Sequence, residues 1–116
     1  MSKPSDLIQG TLDLLVLKIL SRRPGLHGYA IMSAIKQWSD EVLRVDEGSL
    51  YPALHRMEEA GWLQAEWVDK DDSRRLRVYR LTKAGKRQLM SERSRWERLT
   101  SGIAGILNPA QKEDVP

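Results

Sequence analysis

A chain of 116 residues, 41% hydrophobic and 30% charged, has the size and make-up of one soluble globular domain, neither disordered nor fibrous. It has no cysteine, which excludes disulfides, thiolate metal ligands and a thiol nucleophile and fits a cytoplasmic setting; its longest apolar run, seven residues broken by Lys18, is too short to cross a bilayer. The net charge of +3 is unevenly placed, because residues 74–98 hold ten Lys/Arg against two Glu and the remainder holds nine basic against fourteen acidic residues. That asymmetry points either to an anionic partner, most often nucleic acid, or to a solvated helix face.

The first predicted helix runs from Ser5 or Asp6 to about Leu20, ahead of the stop Arg22, Arg23, Pro24, Gly25. At 100° per residue Ile8, Leu12, Leu15, Val16, Ile19 and Leu20 share a broad apolar face, while Leu7, Leu14 and Leu17 form a second stripe. A small domain rarely covers both sides of such a helix, so the second stripe is expected to meet a partner subunit. The N-terminal ten residues show no basic region leading into an apolar stretch, hence no signal peptide.

A second helix is expected from His27 to about Trp38, with Ile31, Ala34, Ile35 and Trp38 inward and Tyr29, Ser33 and Lys36 aligned on the other side. The connector 39–46 is expected to hold a very short strand around Leu43 to Val45. A third helix is read from about Glu47 to Ala60, closed by Gly61, with Leu50, Ala53, Leu54 and Met57 buried. Pro52 fits if this helix starts at Glu47 or Gly48, since the first amides of a helix lack internal partners; Gly48 and Ser49 would leave that end rich in unsatisfied N–H groups.

Two extended runs, 62–68 and 76–82, flank the polar tip DKDDSRR and predict a hairpin. The last helix is expected over 83–107, stopped by Asn108 and Pro109, with 108–116 a frayed tail. In it Leu89, Trp96 and Ile103 recur every seven residues with Leu99 and Ile106 between, a short coiled-coil seam that Glu92 interrupts.

Three helices followed by a hairpin is the layout of a winged helix-turn-helix, a mainly α fold with a small β-hairpin, here extended by a long C-terminal dimerisation helix. The domain division is 5–82 for DNA binding and 83–107 for dimerisation. On the third helix Ser49, Tyr51, Pro52, His55 and Arg56 lie on or beside the side opposite the core, a mixture suited to phosphates and base edges; Tyr29, Ser33 and Lys36 suit phosphate contacts. A nearby carboxylate is the competing partner for Arg56, and packing the competing role for Tyr51. Arg74 and Arg75 at the wing tip suit a minor groove, although Asp69, Asp71 and Asp72 oppose it.

The segments HGYAI (27–31), GSLYPALHRMEEAGWL (48–63) and RVYRLTKAGKRQL (77–89), with LIQGTLDLLVLKIL (7–20), resemble the PadR family of bacterial transcriptional regulators, in its smaller subgroup with a single C-terminal helix. The resemblance implies a homodimer, usually a repressor, on an inverted-repeat operator in double-stranded DNA. Some members of that subgroup bind flat hydrophobic compounds between subunits, which makes Trp96 an expected contact for a small hydrophobic or aromatic effector; filling the dimer core is its plainer role. His27 and His55 have no ligand-spaced companions, so neither a metal nor another cofactor is expected, and no phosphate loop, nucleophile elbow or Ser/His/acid trio suggests an enzyme. The rival reading is a winged helix that binds protein or RNA.

Overall fold

A computed structural model describes residues 11–71 and 74–108. Helix α1 (Leu12–Arg22) leads through strand β1 (Leu26–His27) into α2 (Gly28–Trp38) and α3 (Glu47–Glu59). Strands β2 (Leu63–Asp69) and β3 (Arg75–Leu81) follow, then the long helix α4 (Lys83–Leu107). This is a winged helix-turn-helix with a long C-terminal helix. The expected start of the first helix at Ser5 or Asp6, with Leu7 and Ile8, and the tail 109–116 lie outside the described residues.

The sheet has three antiparallel strands in the order β1-β3-β2. Leu26 pairs with Tyr79 and His27 with Val78, so the extra strand sits ahead of α2. The expectation of a strand at Leu43 to Val45 is corrected. Those residues have no regular structure and follow the turn at 39–41, where Ser39 Oγ accepts from the Leu43 N–H at 2.9 Å. Helix α2 ends with the Glu41 N–H on the Lys36 carbonyl (2.8 Å) and the Asp40 N–H on the Gln37 carbonyl (3.2 Å). This is a Schellman closure in which Asp40, at φ 53°, occupies the left-handed position glycine usually fills. Helix α3 closes in the same way, through Trp62 N–H to Met57 and Gly61 N–H to Glu58, with glycine in its usual place.

Helix α1 is the centre of the core. Leu12, Val16, Leu17, Ile19 and Leu20 meet Ile31, Ala34 and Ile35 of α2, Leu50, Ala53, Leu54 and Met57 of α3, and Leu63 and Tyr79 of the sheet. Helix α4 also packs against α1, so the chain covers more of α1 than its length suggested. Leu17, expected on a stripe left for a partner, is fully buried and belongs to this core. Leu14 remains half-buried, and Leu89, expected at the head of the seam, is turned onto the chain's own core.

Pro52 also needs a different account. Helix α3 starts at Glu47, as expected, but this puts Pro52 at its sixth position, inside the helix, where it withholds an N–H from the Gly48 carbonyl. The missing bond falls near the N-terminus, so only one turn of the helix goes without it. Helix α4 is anchored at its own start: Thr82 Oγ1 accepts from the Gly85 N–H (3.0 Å) and donates to the Gly61 carbonyl (2.6 Å). A side-chain carbon on Gly85 would overlap the Trp62 carbonyl, so glycine is needed for α4 to approach the end of α3.

Candidate nucleic-acid interface

Helices α2 and α3 form the helix-turn-helix. On α2 Tyr29 and Lys36 are exposed and Ser33 is half-buried; on α3 Tyr51, Pro52, His55 and Arg56 are exposed and Ser49 is half-buried. Burial of Ile31, Ala34 and Ile35 on one helix and Leu50, Ala53, Leu54 and Met57 on the other turns these polar sides outward. The two helices meet where Gly28 opens α2: a side chain there would run into the Tyr51 ring, so the glycine seats Tyr51 against the start of α2 while 43% of it stays exposed. Tyr51 therefore both packs and faces solvent. His27 stacks near Tyr29, with centroids 6.5 Å apart and planes 21° from parallel.

The N-terminus of α3 is not an open anion site. Asp46, a residue the sequence reading passed over, caps it by accepting from the Ser49 N–H at 2.9 Å, and Glu47 adds a second carboxylate in the first turn. Its position one residue before the expected helix start was the available signal. Further along α3, His55 Nε2 lies 3.3 Å from Glu59 Oε2, both exposed. Arg56 makes a two-pronged pair with Asp13 of α1, Nη1 to Oδ2 at 2.9 Å and Nη2 to Oδ1 at 2.8 Å.

The wing carries most of its charge in pairs. Arg75 lies 3.7 Å from Asp69, Arg77 binds Glu58 of α3 at 3.0 Å, and Arg80 lies 3.5 Å from Glu66. Trp67, half exposed, carries the guanidinium groups of Arg75 and Arg77 over its ring at 5.1 and 5.2 Å. No sequence signal singled it out, because its register opposite Arg77 appears only once the hairpin is paired. At the tip Lys70 N–H donates to the Arg74 carbonyl at 2.6 Å, and the Arg74 side chain is exposed. On α4 Arg93 and Arg95 pair with Glu97 and Glu92. Part of the local excess of positive charge is thus matched, while Lys83, Lys86, Arg87 and Arg98 of α4 are exposed.

Along α4 the remaining seam residues face outward: Trp96, Leu99, Ile103 and Ile106 are 41%, 54%, 45% and 80% exposed. Glu92, which interrupts the heptad, turns inward and accepts from Gln88 (2.8 Å) and Arg95 (3.0 Å). A shallow cleft lined by Thr11, Leu14, Glu92, Arg95, Trp96 and Leu99 lies between α1 and α4. Among the described residues no helix is long and apolar enough to cross a membrane, and no three His, Cys, Asp or Glu are grouped to hold a metal.

Residues 16–91 match the transcriptional regulator PadR-like family. A transcriptional regulator of Mycobacterium tuberculosis is 44% identical over 62 residues, which is 53% of this chain and 57% of that protein. Among solved structures, a transcriptional regulator from Clostridium thermocellum superposes with a TM-score of 0.78 at 28% identity, covering 86% of this chain and 96% of its own. A PadR family transcriptional regulator from Eggerthella lenta superposes with a TM-score of 0.74 at 32% identity, covering 89% and 87%.

Proposed function

We propose, on the premise that this chain belongs to the PadR-like family of transcriptional regulators, that it is a cytoplasmic repressor acting as a homodimer on an inverted-repeat operator. The observation that carries the reading is the pairing of two outward surfaces in one chain: the polar side of α2 and α3, and the apolar seam of α4, which the described residues leave exposed. Helix α3 enters the major groove, where Tyr51 and His55 reach base edges and Ser49 and Pro52 border the backbone. Tyr29, Ser33 and Lys36 hold phosphates and set orientation.

Because Asp46 and Glu47 surround the start of α3, phosphate attraction comes from cations away from that end, Lys36 first. Arg74 and Arg75 approach a minor groove only if the duplex displaces the Asp69 contact. Two copies clasped through Trp96, Leu99, Ile103 and Ile106, with Leu14 beside them, place their recognition helices about 34 Å apart, one turn of DNA. The cleft at Trp96 takes a flat hydrophobic effector that releases the operator.

A gel shift with the DNA upstream of the protein's own gene, followed by footprinting, tests the reading. A protected inverted repeat supports it. Binding without repeat symmetry, or binding only to RNA or protein, would replace it with an interaction module. Lys36→Gln should lower the log-log salt slope by about one while weakening all duplexes alike. His55→Ala should alter sequence preference instead. Titration of hydrophobic aromatic compounds, followed by tryptophan fluorescence in the parent and in Trp96→Leu, tests the effector: an unchanged response in the variant removes Trp96 from that role.

A further inference from the structure

The Asp13–Arg56 pair joins residues 43 apart in sequence and ties α3 to α1. Both terminal nitrogens of Arg56 are engaged, each on a separate carboxylate oxygen, a planar two-bond geometry that fixes direction as well as distance. Asp13 is well shielded, at 19% exposure, whereas Arg56 is 58% exposed. The hydrogen bond to Asp13 raises the guanidinium above its ordinary value, and the charges of Asp13 and Glu92 act in the same direction against partial desolvation. Arg56 follows His55 directly on α3, so whatever fixes one of these side chains around the helix axis also fixes the aim of the other.

We infer that Asp13 is a positioning residue for duplex recognition: it holds Arg56 back against α1, so that Arg56 sets the rotation of α3 and does not itself bind a phosphate. The inference rests on the DNA-binding reading above. Its physical basis is competition for one fork. Asp13 occupies the end-on fork, two of the five N–H directions of the guanidinium, and drawing Arg56 off to a phosphate would leave a shielded carboxylate without its partner.

The test uses the full chain and four variants, Asp13→Asn, Arg56→Gln, Arg56→Lys and the exchange Asp13→Arg with Arg56→Asp. Anisotropy titrations over a salt series compare the footprinted repeat with a scrambled duplex, and thermal melts confirm folding. Arg56→Gln is expected to lose about five- to tenfold of the discrimination between the two duplexes with its salt slope unchanged. Asp13→Asn loses the same discrimination but steepens the slope by about one, because the freed guanidinium reaches phosphates. Arg56→Lys, which keeps the charge without the fork, stays impaired, and the exchange recovers discrimination.

A slope lowered by about one in Arg56→Gln, with both duplexes weakened equally, would make Arg56 a phosphate contact and overturn the inference. Discrimination intact in every variant, with only the melting temperature lowered, would overturn it too by leaving the pair a purely structural tie. If the parent chain itself fails to distinguish the duplexes, the DNA-binding reading falls, and that result is separable from both others because it appears before any substitution.

Discussion

The two ends of the molecule treat apolar residues in opposite ways. In the body, α1, α2 and α3 bury twelve apolar side chains, several of them completely. In α4, a helix of 25 residues, the buried position is Gly85, while Met90, Trp96, Leu99, Ile103, Ile106 and Leu107 stay in solvent. A helix of that length spans about 37 Å, well past the domain that anchors its first turns. The contrast teaches that one part is held by its own core, while the apolar seam of the other has no covering partner among the described residues.

The contrast can be broken hardest in the body. Leu54→Ala removes a fully buried side chain from α3 and should cost about 2–5 kcal/mol, read as a lower urea midpoint. Where the two parts join, Gly85→Ala forces α4 off the Trp62 carbonyl and should cost about 1–3 kcal/mol on the same assay. In the seam, Leu99→Asp with Ile103→Asp should weaken self-association at least about tenfold, roughly 1.4 kcal/mol, by sedimentation equilibrium. The helical signal of α1 to α3 should persist. Removing the cap with Asp46→Ala should cost about 1 kcal/mol. Asp40→Gly, which places glycine at the left-handed turn position, should gain about 0.5–1 kcal/mol.

A pH series sharpens the same contrast. Burial raises the Tyr79 phenol above its ordinary value of 10.0, chiefly by penalising the phenolate. Its neutral form is therefore favoured in the folded state: the stability it contributes is complete below pH 10.0 and is lost as pH climbs through the raised value. Tyr79→Phe should flatten that alkaline decline. The exposed seam residues do not titrate, so they should leave it unchanged.

Much of the fold was legible in the residues because periodicity and stop signals are local. The end of α4 follows from Asn108 with Pro109; the bounds of α3 follow from its buried quartet and Gly61. The strand at Leu26–His27 was not legible, since two residues have no alternation to detect and become a strand only when β3 lies alongside. The fate of Leu17 was hidden for a related reason: a second apolar stripe looks the same whether a partner or the chain's own last helix covers it.

In the interface, the residue types on α2 and α3 could be assigned to an outward side from helical spacing alone. Their partners could not, because Asp13 with Arg56 and Glu58 with Arg77 join positions far apart in sequence. By itself the sequence determined the helices, the hairpin, their order and most of the residues that each helix turns inward, since these depend on spacing along the chain and on local caps. Only the tertiary structure decided which charges are matched, which apolar stripe is closed within the chain and how α3 is held, because those depend on distances between side chains that folding alone brings together.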